Sequence, residues 1–532
     1  MQVEFILLTL SLLFFVSIIA DKIGYKFGVP ALLLFLTVGM LFGHDGFGAL
    51  MGTKAAEIET GTAHALSTVA MCIILFSGGM DTKLSDVKSV LAPGITLATL
   101  GVLLTCCITG VIIYFIFGWL NAVVSVSIWM ALLIAATMSS TDSASVFSIM
   151  RTNGIGLKHD LRPLLELESG ANDPMAYVLT TTLIGVVLAG SKEVDALPIV
   201  QTVIVQLVMG TVLGLALGKG LVLLMRRVQL ANEALYPIMV LTACIFIFSI
   251  THYLEGNTYL AVYVGGLIIG NSKFTRKRQT KAFFNGLTWL SQLMMFLMLG
   301  LMVHPREFLH LNILLPCLII SIVMIGISRP LAVLMCMWPF KRWMTRDRLM
   351  LSWVGLKGAV PVIFAVMCKA QGVPYADMIF NVIFLCVIVS LLTQGTTLTL
   401  MARKLNLATP PEEQKRLEYF DLDLPDEIQS TAREVVVTEQ TIAKGNTPRE
   451  ISIPPHTLIV MVRRGEDFFV PTGSSELQVG DQLLVISDQD ANAAYRHMAD
   501  AAEEEAQWRA GVRAKAKQRL EKATRWMRKN KS

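Results

Sequence analysis

The strongest constraint on the fold is a series of apolar stretches that runs from residue 3 to residue 401. About 20 consecutive apolar residues cross the hydrocarbon core of a bilayer as a helix. The thirteen predicted spans are 3–20, 29–43, 62–80, 91–117, 122–148, 163–190, 197–222, 235–253, 257–272, 284–303, 309–337, 351–369 and 377–401. The second and ninth are short, so we expect them to be tilted or partly re-entrant. The first span carries Glu4 and no preceding Lys or Arg, which favours a retained helix over a signal peptide.

The composition supports a chain that lies mostly in lipid. Of its 532 residues, 54% are hydrophobic and only 16% are charged, whereas a soluble domain carries about a quarter charged residues. A single membrane anchor would not lower the average this far, which argues against an anchored cytosolic enzyme. All eight cysteines lie in apolar stretches without a CxxC pair, so neither a disulfide framework nor structural zinc is expected. The net charge of +5 gives no indication of a nucleic-acid partner, and we predict none.

The distribution of basic residues predicts the orientation. Connections after odd-numbered spans hold most of the Lys and Arg, including the cluster Lys273, Arg276, Lys277 and Arg278. Connections after even-numbered spans hold four, namely Lys54, Lys192, Arg306 and Lys369. By the positive-inside rule, the N-terminus is periplasmic and the tail is cytoplasmic. We therefore predict a multi-pass protein of a bacterial inner membrane.

Few ionisable residues remain inside the spans. Each costs about 2.5–3.5 kcal/mol of insertion free energy, so each is a functional hypothesis by default. Among them are Asp142 in the fifth span, Glu168 and Asp173 in the sixth, Arg329 in the eleventh and Lys357 in the twelfth.

The sixth span carries a polar patch. Residues four apart share a helix face, so Glu168 lies near Asn172 and Ser169 lies near Asp173. Hard monovalent cations prefer oxygen ligands, which these side chains supply. A carboxylate at low dielectric holds either a proton or a cation. Competition for one site is a sufficient mechanism for exchange.

Other polar residues indicate distorted helices and leave alternatives open. The run 139–143 is rich in Ser, Thr and Asp, which predicts an interrupted helix that presents carbonyls and helix ends to ions. Pro330 beside Arg329 predicts a second distorted helix opposite the first. Arg329 or Lys357 is expected to neutralise Glu168, which leaves Asp173 as the titrating group; Glu168 with Arg329 is interpreted as a structural ion pair.

Three of these residues keep a second interpretation. Asp142 is either part of the site or only the cap of a broken helix, and Ser169 either binds the ion or bonds back to its own helix. Lys357 has either a transport role or a packing role at a helix end. The eight histidines are scattered and are assigned no site.

Three motifs together resemble the NhaP-type monovalent cation:proton antiporters, cation:proton antiporter family 1. The motifs are Glu168-Ser169-Gly170-Ala171-Asn172-Asp173, Thr141-Asp142 and Gly355-Leu356-Lys357-Gly358-Ala359-Val360. They are similar to that family's Glu-Ser-x-x-Asn-Asp, Thr-Asp-Pro and Gly-Leu-Arg-Gly-Ala-Val. The resemblance covers residues 1–404.

The resemblance implies a polytopic α-helical fold of about thirteen helices with an inverted repeat, a dimer domain and a mobile core domain. Asp173 would be alternately protonated and cation-bound, with Asn172 as its partner. Ser169, the backbone of Thr141 and Asp142 would complete the site, and Glu168 would pair with Arg329. The implied transport is electroneutral, elevator-like exchange by a homodimer, without a cofactor, that regulates cytoplasmic potassium and pH.

Three departures from the family pattern bear on the ion. Ser143 replaces the Pro after Thr-Asp, Lys357 replaces an Arg, and Ser77 stands where many relatives carry a carboxylate. The last departure weakens the expectation of sodium, and the chain looks closer to the potassium/proton branch with a regulatory tail. Exchange of sodium or lithium for protons is the alternative.

The tail is predicted to contain three parts. Residues 405–430 form a linker with several prolines, and residues 491–532 form a charged helical extension, either solvated or on the membrane surface. Between them, residues 431–490 predict a small α+β domain with strands at 434–438, 450–453, 457–463, 467–470 and 482–487.

The α+β domain resembles the C-terminal subdomain of regulators of potassium conductance (TrkA-C). The matching segments are 458–465, 471–473 and 480–485. The resemblance implies binding of an unidentified small cytoplasmic ligand, and dimerisation without a ligand is the alternative. The Gly-rich dinucleotide fingerprint is absent from the chain, so no NAD is expected.

Two rival classes are weaker. A ligand-gated cation channel would use a filter of carbonyls or charge rings, and the sequence Thr-Val-Gly-Tyr-Gly is absent. An intramembrane aspartyl protease would need Asp142 and Asp173 to share a proton, and Glu168 with Arg329 nearby does not fit that simple pair. We therefore predict a secondary transporter and not an enzyme.

Overall fold

The protein was analysed as a computed structural model that covers most of the chain. It describes residues 2–27, 30–43, 45, 59–119, 126–190, 196–228, 230–274, 276–309, 311–409, 432–437, 442, 445–450, 457–465 and 467–487. The chain divides into two compact units, Met1–Pro411 and Glu412–Ser532. The predicted helical extension and nearly all of the predicted linker lie outside the described residues.

The described part of the first unit is built from fifteen α-helical segments. They are α1 Gln2–Phe27, α2 Ala31–Phe42, α3 Thr60–Asp81, α4 Leu84–Trp119, α5 Ile128–Thr137, α6 Ser143–Thr152, α7 Leu161–Ala189, α8 Ala196–Arg227, α9 Leu235–Tyr253, α10 Thr258–Gly270, α11 Lys277–Met302, α12 Leu311–Val323 continued by Met324–Ser328 and Arg329–Met337, α13 Thr345–Trp353, α14 Val360–Ala370 and α15 Ala376–Lys404. A short 3-10 helix, Pro305–Leu309, precedes α12.

These segments correspond to the thirteen predicted spans. The pair α5 and α6 occupies the fifth span, and the pair α13 and α14 occupies the twelfth. Eight described helices are long and apolar enough to cross a membrane, and four shorter apolar helices accompany them. The spans predicted to be short are indeed short: α2 has 12 residues and α10 has 13, so each extends about 20 Å. The predicted polytopic helical fold is therefore confirmed.

The helices pack as two groups. One group contains α1–α3 and α8–α11, and the other contains α4–α7 and α12–α15. The second group consists of two halves of three spans, and the middle span of each half is interrupted. The first span of each half also contains a π-helical turn, Leu97–Gly101 in α4 and Met324–Ser328 in α12. Equivalent spans of the two halves are seven apart along the chain, an odd number, so the halves run in opposite directions, which is the predicted inverted repeat.

Small residues let helices approach closely in the first group. A Cβ added to Gly266 of α10 would lie 2.3 Å from the carbonyl oxygen of Phe76 in α3, and one added to Gly39 of α2 would lie 2.3 Å from that of Leu297 in α11. Inside lipid, burial of apolar surface does not drive helices together, and close van der Waals packing takes its place. Glycine at these positions is therefore part of how the bundle holds together.

A two-residue strand pair joins the loop before α7 to the segment after α15. Strand β1, Gly156–Leu157, pairs antiparallel with β2, Ala408–Thr409. The N–H of Lys158 donates to the carbonyl of Leu407 at 3.1 Å. This pairing ties the segment that leads to the second unit to the loop from which α7 starts.

The described part of the second unit contains four strands, β3 Ala432–Val436, β4 Thr457–Arg464, β5 Asp467–Phe469 and β6 Gln482–Ser487. They form an antiparallel sheet in the order β3-β6-β4-β5. A small apolar core lies against it, formed by Val437, Val462, Leu477, Leu483 and Val485. Four of the five predicted strands lie here, and the fifth, predicted at 450–453, falls almost wholly outside the described residues.

An ion pair at the edge of that core fixes the turn before β6. Arg464 contacts both carboxylate oxygens of buried Asp481, at 2.8 and 2.7 Å. Burial opposes ionisation of Asp481, but the hydrogen bonds from Arg464 and from the N–H of Gln478 hold the pKa of its carboxyl below the usual range. The pair therefore remains ionised at neutral pH.

Candidate functional site

Two helix interruptions meet inside the second helix group. The first interruption is residues 138–142, between α5 and α6, and the second interruption is residues 354–359, between α13 and α14. The N–H of Asp142 donates to the carbonyl of Leu356 at 2.8 Å. A Cβ on Gly358 would lie 2.4 Å from Asp142 Oδ2, so only glycine allows this approach. The two interruptions thus cross in direct contact.

Side-chain capping explains the first interruption. In the last turn of α5, the carbonyl of Ala136 accepts from both the N–H and the hydroxyl of Ser139, at 3.1 and 2.6 Å, so it does not depend on the hydroxyl alone. Asp142 Oδ1 accepts from the N–H of Ser145 at 3.0 Å, and Oδ2 accepts from the Ser145 hydroxyl. This is the geometry of an N-cap at the start of α6. Asp142 therefore caps the broken helix in the structure.

The second interruption has a different cause. Gly355 and Gly358 disfavour a helix, and Pro361 lies at the start of α14, where its missing N–H is tolerated. The distorted helix opposite the first was expected at Arg329 and Pro330. Helix α12 is distorted there, by the π-helical turn that ends just before Arg329 and Pro330, but the segment that faces the first interruption is 354–359.

Helix α7 supplies the third side of the site. Ser169 Oγ accepts from the N–H of Ser143 at 3.0 Å and donates to the carbonyl of Thr141 at 2.8 Å. Asn172 Nδ2 donates to Thr141 Oγ1, and Asp173 Oδ1 accepts from the hydroxyl of Ser140. The five residues predicted to bind the ion, Asp173, Asn172, Ser169, Thr141 and Asp142, therefore lie in one cluster.

One acceptor in this cluster lacks a partner. Asn172 is fully buried, and its Oδ1 forms no hydrogen bond among the residues that the structure describes. A buried acceptor without a partner costs about 1–3 kcal/mol. Such an atom in a native structure requires an explanation, and an ion that binds there supplies one.

Glu168 lies one turn from this cluster and contacts Arg329 of α12. Both side chains are buried, 1% and 4% exposed, and Arg329 Nη2 contacts Glu168 Oε1. A Cβ on Gly355 would lie 3.2 Å from Arg329 Nε, so the second interruption packs directly on this pair. Of the two cations considered for Glu168 from the sequence, the structure brings Arg329 to it.

Lys357 instead faces the first interruption. Its buried ammonium donates to the carbonyl of Ser140 at 2.8 Å and lies 3.5 Å from that of Ser139. Its own N–H donates to Ser390 Oγ at 2.9 Å. Within the described residues, no carboxylate forms an ion pair with it. The ammonium of Lys357 therefore serves as a hydrogen-bond donor to backbone carbonyls just after the end of α5.

Sequence reasoning missed three polar residues here. Ser140 was seen only as part of a polar run, and Ser390 and Gln394 in α15 were not noted. Ser390 donates to Gln394 Oε1 at 2.6 Å, and Gln394 Nε2 donates to the carbonyl of Trp353 at 2.8 Å. Their spacing of four residues within an apolar span was the available signal.

Helix α7 is held in place from the first helix group. Gly170 lies against the ring of Tyr263, where a Cβ would be 2.3 Å from Cε2. Asn257, the N-cap of α10, donates from Nδ2 to the carbonyl of Pro174 at 2.8 Å. Because Pro174 has no N–H, one intrahelical hydrogen bond of α7 is missing next to Asp173.

The arrangement is suited to small monovalent ions. The cluster offers carboxylate, amide, hydroxyl and carbonyl oxygens, which hard cations prefer. Among the described residues, no group of three or more His, Cys, Asp or Glu side chains could hold a metal ion. A buried carboxylate in this setting can bind either a proton or a cation.

Comparison with known proteins agrees with this chemistry. The family model described as "Sodium/hydrogen exchanger, transmembrane" matches residues 9–404, and the TrkA-C domain matches residues 432–499. The K(+)/H(+) antiporter NhaP of Alkalimonas amylolytica is 38% identical, over 90% of this chain and 80% of that protein. The Na(+)/H(+) antiporter NhaP of Pseudomonas aeruginosa is 27% identical, over 66% of this chain and 83% of that protein.

A solved structure shares the fold. The sodium proton antiporter MjNhaP1 from Methanocaldococcus jannaschii at pH 8 superimposes with a TM-score of 0.63 at 22% sequence identity. The match covers 76% of this chain and 99% of that one.

Proposed function

The chain belongs to the sodium/hydrogen exchanger family, and on this premise we propose that it exchanges one K⁺ for one H⁺ at Asp173. Family membership makes it a cation:proton antiporter, a secondary transporter and not an enzyme. The prediction from the three sequence motifs, an NhaP-type antiporter with a TrkA-C domain, is thereby confirmed.

The observation that carries the proposed site is the unpartnered amide oxygen of Asn172, the residue before Asp173 in α7. Asn172 Oδ1 is buried without a partner, and the adjacent Asp173 carboxylate is 7% exposed and bonded to one hydroxyl. A dehydrated cation between them gains an amide and a carboxylate ligand. Ser169, Thr141 and Asp142 surround this position with further oxygens.

Charge balance supports one-for-one exchange. The cluster contains three carboxylates, buried Glu168 and Asp173 and half-buried Asp142, and two buried cations, Arg329 and Lys357. Its net charge when all are ionised is −1. One proton or one monovalent cation brings it to zero, and both together would leave an uncompensated buried charge, which is costly.

Alternating access follows from the two helix groups. We propose that the group α4–α7 with α12–α15 carries the site and moves, elevator-like, against the group α1–α3 with α8–α11. The outward side chains of α8 are largely exposed, which suits lipid or a second copy in a homodimer. Examples are Leu197, Val200, Ile204, Val205, Val208 and Val212.

Two observations favour potassium over sodium. Ser77 of α3 is buried and brings no carboxylate to the position at which the family often has one. The relative named for K⁺ is also the more similar one, at 38% identity against 27% for the one named for Na⁺. Exchange of sodium or lithium remains the second candidate, since an oxygen cluster also suits those ions.

The proposed setting is a bacterial inner membrane, with the N-terminus periplasmic and the C-terminal domain cytoplasmic, where exchange regulates potassium and pH. The TrkA-C domain would bind a small ligand and act on transport through the segment after α15. Because β2 pairs with β1 just before α7, a displacement of that segment would be transmitted to the loop from which α7 starts.

Everted membrane vesicles with an imposed proton gradient test the function. Addition of K⁺ should dissipate the gradient more strongly than Na⁺ or Li⁺, and Asp173→Asn should abolish the response. Asp377→Asn is the matched control, because Asp377 is an exposed carboxylate at the start of α15 that pairs with Lys369. Full exchange by Asp173→Asn would contradict the site, and large single-channel currents would contradict the mechanism.

A further inference from the structure

We propose that the hydroxyl of Ser140 is a further ligand of the transported cation, exchanging its hydrogen bond to Asp173 for the ion. The inference deepens the function proposed above and rests on exchange at Asp173. Ser140 lies in the first interruption, is 1% exposed and directs Oγ to Asp173 Oδ1. It is the described side chain outside α7 that touches the proposed ion-binding carboxylate most directly.

The chemistry of a hydroxyl suits each state of the cycle. It donates one hydrogen and has two lone pairs. Towards ionised Asp173 it donates, as in the structure. Towards a bound cation it turns a lone pair, and towards protonated Asp173 it accepts. Rotation about the Cβ–Oγ bond is sufficient for each change, so the backbone does not have to move.

The backbone of Ser140 is fixed from the other side. Its carbonyl accepts from the ammonium of Lys357 at 2.8 Å, while its hydroxyl faces Asp173. One residue therefore contacts both the carboxylate and the buried cation. Lys357 prevents this carbonyl from turning, and so positions the hydroxyl.

The neighbouring serine provides a matched control. Ser139 is 2% exposed and lies in the same interruption, and its carbonyl also faces Lys357. Its hydroxyl, however, donates to the carbonyl of Ala136 at 2.6 Å. Ser139 and Ser140 thus differ mainly in where the hydroxyl points.

The first test uses Ser140→Ala and Ser139→Ala in proteoliposomes, with K⁺-driven proton movement as the readout. Ser140→Ala should raise the apparent KM for K⁺ about tenfold, with a maximal rate within about twofold of wild type. The acidic limb of its pH profile should move up by about one pH unit, because the lost hydrogen bond had favoured the ionised carboxylate. Ser139→Ala should keep both values.

The second test replaces the oxygen ligand by sulfur. Thallium(I) is a soft monovalent cation that prefers thiolate or thioether sulfur more than K⁺ does. Ser140→Cys should therefore increase the preference for Tl⁺ over K⁺, measured as the ratio of apparent KM values, by about fivefold or more. Ser139→Cys should leave the ratio as in wild type, and a merely structural role of Ser140 would not change it.

The outcomes separate this inference from the proposed function. Exchange by wild type that Asp173→Asn abolishes, together with a wild-type KM in Ser140→Ala and an unchanged Tl⁺/K⁺ ratio in Ser140→Cys, would overturn the role of Ser140 alone. No K⁺-driven proton movement by wild type would overturn the function as well. A raised KM together with a raised Tl⁺/K⁺ ratio supports direct ligation.

Discussion

The two helix interruptions occupy equivalent places in the inverted repeat but differ in chemistry. The first interruption, 138–142, carries three hydroxyls and the Asp142 carboxylate, whereas the second, 354–359, carries two glycines and Lys357. Both have buried backbone in the middle span of a three-span half. The repeat is therefore symmetric in backbone and asymmetric in side chains.

Because of this difference, the two interruptions contribute different groups to the proposed site. The first interruption offers oxygen ligands. The second leaves space for Asp142 at Gly358, and it supplies a positive charge, because the ammonium of Lys357 faces the carbonyls of Ser139 and Ser140. In the proposed function, the repeated backbone therefore forms a single ion site.

Removal of the arginine behind the second interruption should have the largest effect. Arg329→Met leaves Glu168 charged and buried without its partner, which should lower the free energy of unfolding by about 3–5 kcal/mol. Thermal unfolding in detergent measures the loss. The double variant Glu168→Gln with Arg329→Met removes both charges and should recover much of the stability. A single variant as stable as wild type would contradict a structural role for the pair.

A methyl group at the crossing should be nearly as damaging. Gly358→Ala places Cβ 2.4 Å from Asp142 Oδ2 and forces the interruptions apart, at about 3 kcal/mol. Exchange per amount of folded protein should fall at least about a hundredfold. Gly185→Ala in α7 is the control, because no atom lies within 4 Å of its added Cβ. Equal effects of the two substitutions would show that the crossing is not tight.

Loss of the positive charge in the second interruption should have an intermediate effect. Lys357→Met leaves the carbonyls of Ser139 and Ser140 without their ammonium partner, at about 2 kcal/mol. It also shifts the net charge of the cluster to −2, so a single cation no longer neutralises it. Each half-cycle then moves a net charge, so exchange should slow and its rate should depend on voltage, which transient currents on a solid-supported membrane would detect. Electroneutral exchange at the wild-type rate would contradict the charge balance.

The support behind Lys357 should matter least. Ser390→Ala removes the acceptor of the Lys357 N–H and the donor to Gln394, at about 1 kcal/mol. The melting temperature should fall by a few degrees while the apparent KM for K⁺ stays near the wild-type value. Thr393→Ala, which loses only a bond to its own helix, is the matched control. A large change in KM for Ser390→Ala would place Ser390 in the ion site itself.

Strong physical constraints made much of the fold predictable. The apolar length needed to cross lipid identified the spans, and the cost of charge in lipid identified Asp142, Glu168, Asp173, Arg329 and Lys357. The polar run 139–143 also revealed the first interruption. The family resemblance added the inverted repeat.

Weaker signals explain what the sequence did not reveal. Serine and glutamine are inexpensive within a span, so Ser140 gave no distinct signal, and only a spacing of four residues marked Ser390 and Gln394. Pro330 marked the π-helical distortion of α12 and gave no sign of the second interruption at 354–359. The carbonyls that Lys357 contacts are set by the crossing of two segments that are distant in the chain, and no local pattern encodes that contact.

The central claim is that one cation and one proton compete for Asp173. Titration of the purified protein with K⁺ by calorimetry, in buffers of different ionisation enthalpy, measures the protons released per ion bound. On the acidic limb of activity, release should approach one proton per K⁺ bound, and Asp173→Asn should release none. Binding of K⁺ to wild type without proton release, or the same release from Asp173→Asn, would contradict the account.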